Sequence, residues 1–298
     1  MWDLYGERMF PRTFAALLTL TLLAGPVLAE DAPTITATFW NVQWFPGRRP
    51  NASRSEENRQ IHAVHADLAE SNSDIVAFEE VRDWEHAVLA VRPLSGFKVD
   101  VISNFPPREG QREAQQVAIT SRLQPLSAWS ERWKPSGAIV PPRGFAFAAY
   151  QVAPHQLLLV YALHLKSNRG EIREDIRSRE EAMEQLVAHM KRMNEAYGKL
   201  GRLSWIVGGD FNTAPDEPRF ASEKTTSLLR ADGFRWSWEG MPFTARITVP
   251  ADARYPAASF DHIFYRGARL IRAWVENTSS QSSDHRAVSA VLSCSGGL

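Results

Sequence analysis

The sequence predicts a layered α/β or α+β fold. Short apolar, β-rich runs recur from residue 34 to residue 292. Two helical segments sit between pairs of these runs, giving strand, helix, strand twice over. No low-complexity linker divides the chain, so one domain is expected over residues 30–298.

Residues 1–29 read as a signal peptide. Arg8 and Arg12 precede an apolar run over residues 14–24, and Gly25-Pro26-Val27-Leu28-Ala29 follows. This is the order of a cleaved secretory leader, with the cut after Ala29. The run falls short of the roughly 20 residues of a membrane span, and Pro26 interrupts it. Asp3 and Glu7 are foreign to such a leader, which favours Met9 as the start. The mature chain is therefore expected to be secreted or periplasmic, with no transmembrane segment.

A strand is predicted over residues 34–40, then a loop holding Pro46, Gly47 and Pro50. A helix over 55–70 follows, with Ile61, Val64 and Leu68 on one face. Strands are predicted at 74–78, 98–102, 117–120, 145–152 and 156–163. The longest helix spans 171–197, where Ile176, Met183, Leu186, Val187 and Met190 recur at helical spacing and Gly198 can end it. A buried strand at 205–208 runs into Gly209. Strands at 262–265 and 288–292 complete the sheets. Residues 82–97 and 122–140 carry little pattern.

Composition bounds the function. With 44% hydrophobic and 23% charged residues, the chain is neither disordered nor collagen-like. Lys+Arg and Asp+Glu are both 34, which excludes a polybasic nucleic-acid binder but not an enzyme with a local phosphate site. Cys294 is the single cysteine, so there is no internal disulfide and no multi-cysteine zinc site.

Five segments place polar residues at the ends of predicted strands, where propensity does not explain them. Asn41 interrupts Phe39-Trp40-Asn41-Val42-Gln43; alone it would be a turn residue. Glu79 and Glu80 end Ile75-Val76-Ala77-Phe78; adjacent carboxylates can suit a hard cation such as Mg²⁺, but alone they read better as an exposed acidic turn. His164 and Lys166, two apart, would share one strand face, and both can donate to a phosphate. In Gly208-Gly209-Asp210-Phe211-Asn212 the glycines allow a sharp turn that presents Asp210 and Asn212 together. Asp261-His262 and Asp284-His285 offer an Asp–His dyad; His262 opens an apolar strand and reads as structural, whereas His285 can face a cleft.

In this order, the five segments resemble the endonuclease/exonuclease/phosphatase superfamily, which includes secreted deoxyribonucleases, abasic-site endonucleases, sphingomyelinases and inositol-polyphosphate phosphatases. The resemblance runs from about residue 34 to residue 292. It implies a four-layer α/β sandwich, with two mixed β-sheets packed face to face and helices on the outside. It implies that Glu80 binds an essential divalent metal, usually Mg²⁺ with Mn²⁺ or Ca²⁺ as alternatives, with Asn41 and Asp284 beside it. Asp210 matches the residue that orients or deprotonates water, and Asn212 its support at the phosphate. His164 and His285 match the phosphate-contacting histidines, and Asp261 the partner of His285. Lys166, Asn41 and Asn212 complete the expected phosphate contacts. The pattern departs at Glu79, where the family often has Gln, and at Ala287, where it often has Pro. Glu113 is the candidate carboxylate partner of His164.

The resemblance and the leader together imply an exported metal-dependent phosphodiesterase, with DNA as the expected substrate and no stable protein partner. A lipid or small-molecule phosphodiesterase of sphingomyelinase type is the alternative, and a non-catalytic binding protein a third reading that the intact residue set opposes. Arg48 and Arg49 are candidates for a phosphate backbone. Trp236, Trp238, Phe243 and Tyr255 are candidates for base stacking, bilayer insertion or core packing.

Overall fold

In the computed structural model, which describes residues 33–107 and 114–294, strand β1 (Thr34–Phe45) shows why the apolar runs are nearly continuous. Ile35, Ala37 and Phe39 are buried in one apolar cluster, and Trp40, Val42 and Phe45 in another. Strand β2 (Ile75–Val81) repeats the division: Ile75 and Ala77 join the first cluster, Val76 and Phe78 the second. Side chains alternate across a strand, so each of these strands needs an apolar partner on both faces.

The partners are helices and a second sheet. Helices α1 (Arg54–Ala69) and α2 (Trp84–Ala90) cover one face, burying Val64, Leu68, Ala87 and Ala90. The remaining elements are β3 (Lys98–Ile102), β4 (Gln116–Ser121), β5 (Pro125–Arg132), β6 (Gly144–Ala153), β7 (Gln156–His164), α3 (Ile172–Tyr197), β8 (Arg202–Asp210), α4 (Thr225–Ala231), β9 (Arg235–Trp236), β10 (Asp261–Arg266), β11 (Arg269–Val275) and β12 (Val288–Ser293). One six-stranded sheet has the order β11-β12-β1-β2-β4-β3, the other β5-β6-β7-β8-β10-β9. Each holds one parallel pair, β1–β2 and β7–β8, bridged by α1 and α3 respectively; the other pairs are antiparallel. The layered expectation thus resolves into the four-layer α/β sandwich, its mixed sheets face to face. Helix α3 covers the second sheet, burying Ala182, Met183, Leu186 and Met190.

Gly208 sets the closest approach of the two sheets. A Cβ there would lie 2.6 Å from the Phe39 ring, so the residue must be glycine for β1 and β8 to meet.

Helix α1 starts where its chemistry dictates. Ser53 caps it, with the Glu56 side chain accepting from the Ser53 backbone N–H in a reciprocal capping box. Gln60 lies on the same buried stripe as Val64 and Leu68. It accepts from the N–H groups of Gly47 and Arg48 and donates to Val42 O and Ser282 O, tying the loop after β1 to the segment before β12.

Two stretches with little pattern contain elements. Residues 82–97 hold α2, capped by Asp83. It is seven residues long and buries only Ala87 and Ala90, too little for a legible period. Residues 122–140 hold β5, an edge strand that is half-buried along most of its length. The proposed leader, residues 1–29, lies outside the described residues. No described helix is long and apolar enough to cross a membrane.

Candidate active site

Strand register brings the polar strand ends together. In the second sheet His164 on β7, Asp210 on β8 and Asp261 on β10 are direct neighbours across three adjacent strands. In the first sheet Asn41 on β1 pairs with Glu79 on β2. Both strands are bulged at this level, with register shifts between Asn41 and Phe45 and between Glu79 and Val81. Asn41 is thus in a bulged strand rather than a turn. Glu80 has φ 63°, a strained conformation for a residue with a Cβ, which the surrounding bonds hold in place. Its Oε2 accepts from Trp44 N at 3.0 Å and its Oε1 from Asn41 Nδ2 at 3.3 Å.

The two sheets meet through Asn41 and Asp210. Asn41 Nδ2 donates to Asp210 Oδ2 at 3.1 Å, and Asn212 N donates to Asp210 Oδ1 at 2.9 Å. His164 Nε2 lies 3.5 Å from Asp210 Oδ2 and 3.8 Å from Glu80 Oε1. Gly209 has φ +129°, and a Cβ there would lie 2.1 Å from Leu163 O and 2.8 Å from Glu79 Oε1. The Gly-Gly pair before Asp210 therefore serves sheet contact first and site geometry second.

His285 arrives from the turn before β12. Ser283 Oγ donates to Asn41 O and accepts from His285 N, while Trp40 Nε1 donates to His285 O at 3.0 Å. This pinning turns the His285 ring inward. Its Nδ1 faces Asp261 Oδ2 at 2.9 Å, and its Nε2 stands 3.9 Å from Asp210 Oδ2. Burial opposes the charge on this ring, but the Asp261 and Asp210 carboxylates outweigh it and hold the imidazole protonated well above its ordinary range. Burial pushes Asp210 up to about 7, against the pull of His285.

His262 is the contrasting case. It is fully buried, its Nδ1 accepts from Trp236 Nε1 at 3.2 Å, and its Nε2 reaches Thr213 O at 2.7 Å. The neutral ring satisfies both contacts, and burial lowers its pKa to about 4. In the metal-free protein, therefore, neither ring should titrate between pH 5 and 7, His262 staying neutral and His285 charged. Side-chain NMR of the histidines in EDTA checks this; a midpoint near 6.5 for either would contradict the assignment.

The donors fit a divalent cation. Glu79, Glu80, Asp210 and Asp261 converge beside two histidines. Glu79 is completely buried, and neither of its oxygens has a hydrogen-bond partner among the described residues. Burial, then Asp261 and Asp210, raise its pKa well above the carboxylate range. Such crowding of oxygen donors is what a hard cation relieves. The Glu80 and Asp210 carboxylates, which both accept from Asn41 Nδ2, are the candidates to hold one, while Asn41 Oδ1 accepts from Gln43 N. Asp210, Asp261 and His285 also bring ligand atoms within 4.8 Å of one another, but His285 Nδ1 is already engaged by Asp261.

One expected residue is not gathered in. Strand β7 ends at His164, so strand alternation does not extend to Lys166; its Nζ is held by Asp175 and by Ser167 O. Asp284 is exposed and lines the same cleft as Asn212 and His285. Glu113 lies outside the described residues. Sequence reasoning also missed the supports. Arg143 Nε donates to His164 O at 2.8 Å, and Asn168 Nδ2 to Asn212 O at 2.7 Å. Arg143 precedes an apolar strand as an ordinary surface charge would, so nothing local marked it.

No curated protein matches the chain. An endonuclease/exonuclease/phosphatase from Beutenbergia cavernae DSM 12333 superposes with a TM-score of 0.66 at 15% identity, over 88% of this chain and 72% of that one. TDP2 of D. rerio complexed with a single strand DNA product gives 0.61 at 18% identity, over 87% and 98%. A family protein from Bacteroides thetaiotaomicron gives 0.61 at 15% identity, over 88% and 96%. At such identities these likenesses show a shared fold. The model of the Endonuclease/Exonuclease/phosphatase family matches residues 38–285. With its two mixed sheets, and with that match spanning most of its length, the chain belongs to the endonuclease/exonuclease/phosphatase family and is an enzyme of the phosphoric ester hydrolase class.

Proposed function

We propose that this enzyme is an exported, divalent-metal-dependent phosphodiesterase that cleaves DNA internally. The observation that carries the chemistry is the row His164, Asp210, Asp261 across three strands, closed by His285 and faced by Asn41 and Glu80. Glu80 would hold a divalent cation, which when bound would supply charge neutralisation for the phosphate and its leaving oxygen. Asp210 accepts a proton from the water that adds to phosphorus. His285, its Nδ1–H fixed by Asp261, gives the Nε2 proton to the ester oxygen as the P–O bond breaks. His164 and Asn212 hold the non-bridging oxygens. The relative with a single strand DNA product and the arginines along the cleft support a nucleic acid as substrate. The leader over residues 1–29 supports export.

Supercoiled plasmid with the mature chain in Mg²⁺ tests the reading. Nicking should occur, and both EDTA and Asp210→Ala should abolish it. An inert enzyme in Mg²⁺, Mn²⁺ and Ca²⁺ would turn the reading to lipid or small phosphoesters, with sphingomyelin vesicles as the next substrate.

A further inference from the structure

The four aromatic candidates before β10 part company in the fold. Trp236 and Trp238 are core residues at 6% and 0% exposure, whereas Phe243 is 44% and Tyr255 67% exposed, and of these two only Tyr255 lines the cleft with His285. Tyr255 makes no aromatic contact among the described residues. It sits at the tip of a hairpin formed by residues 249–258, closed by Val249 and Ala258, which exchange backbone hydrogen bonds. Asp252 Oδ1 accepts from the N–H groups of both Arg254 and Tyr255 at 2.7 Å, and Asp252 N donates to Tyr255 O. The tip is therefore shaped by its own backbone and presents two large side chains to solvent.

The hairpin borders the reacting groups. Tyr255 and Arg254 line a cleft of about 720 Å³ that Asn212 and His285 also line. Arg48, Arg169 and Arg286 line the same cleft, against the acidic side chains Asp252 and Asp284. Its volume lies within the roughly 300–1,000 Å³ of sites that enclose a small organic ligand. A cationic wall suits consecutive phosphates, and an exposed ring on a pinned hairpin suits a base. Inside a duplex both faces of a base are covered by its neighbours, so a ring at one fixed point stacks without unstacking cost only on an unpaired base or at a duplex end.

Resting on the DNA reading above, we infer that the 249–258 hairpin is a strand clamp: Tyr255 stacks on an unpaired base next to the scissile phosphate while Arg254 contacts the neighbouring phosphate, so that single-stranded or frayed DNA is taken in preference to intact duplex. Tyr255 is thus a specificity-determining residue rather than a catalytic one.

The test compares kcat/KM for a labelled single-stranded oligonucleotide, the same sequence as a blunt duplex, and bis(4-nitrophenyl) phosphate, in Mg²⁺. Wild type should favour the single strand over the duplex. In Tyr255→Ala the ratio of single-strand to small-diester kcat/KM should fall roughly 5- to 150-fold, the contribution of one base stacked on an aromatic ring. Tyr255→Phe, which keeps the ring, should hold the wild-type ratio. An enzyme that cleaves DNA with an unchanged ratio in Tyr255→Ala, or that prefers the duplex, overturns the clamp and leaves the nuclease reading standing. An enzyme that hydrolyses the small diester but neither polynucleotide overturns both.

Discussion

Replacing His285 by alanine should slow DNA hydrolysis about 10²- to 10⁴-fold, the range of a lost general acid. The ring is held in a geometry that suits this proposed role. Ser283 and Trp40 fix its backbone, Asp261 fixes its Nδ1–H, and its Nε2 points toward Asp210 and the cleft. Burial works against its charge and the Asp261 and Asp210 carboxylates work for it, with the carboxylates prevailing. Because the pKa is raised, the protonated form persists through neutral pH and is lost on the alkaline side. The wild-type rate should therefore decline at high pH, and His285→Ala should lack that decline as well as most of the rate. Initial rates on plasmid from pH 6 to 10, with circular dichroism to verify folding, supply both readouts. A variant with the wild-type rate, or with the same alkaline decline, would remove His285 from the chemistry.

The sequence marked His285 through its Asp-His pair and Asp210 through the two glycines before it, but the pairing of His285 with Asp261 came only from the family resemblance. The architecture was legible for a related reason: strands buried on both faces, such as β1, β2, β7 and β8, are continuous apolar runs. What stayed hidden depends on long-range pairing. The bulges that aim Asn41 and Glu80 arise from register between strands far apart in the chain. Lys166 illustrates the opposite error. Strand alternation was extended two residues past the point where β7 stops, and the ion pair with Asp175 on α3 decides where the ammonium goes. Gln60 did carry a signal, a polar residue four positions from Val64 on the buried stripe of α1, which marks a side chain that must satisfy backbone groups.

Arg179 has the largest expected effect on stability. It is fully buried in α3 and makes a two-point ion pair with Glu223, Nε to Oε1 at 2.8 Å and Nη2 to Oε2 at 2.7 Å. Its Nη1 also donates to Lys166 O at 3.0 Å and to Asn168 Oδ1 at 2.8 Å. Asn168 in turn donates to Asn212 O, and Asn212 N to Asp210 Oδ1, so one guanidinium braces the segment that carries Asp210. Arg179→Leu strands a buried carboxylate as well as two acceptors, which costs about 3–5 kcal/mol. For a domain of this size that lowers the melting temperature by roughly 10 °C. The double variant Arg179→Leu/Glu223→Leu, which leaves no buried charge, should be less destabilised than the sum of the two single changes. Well below its melting temperature, Arg179→Leu should also lose turnover, because Asn168 and Asn212 are no longer held. Denaturant melts of the four proteins, with plasmid nicking at 15 °C, separate the two effects. A single variant that loses less than about 1 kcal/mol would show that solvent reaches Glu223 and that the brace carries little of the fold.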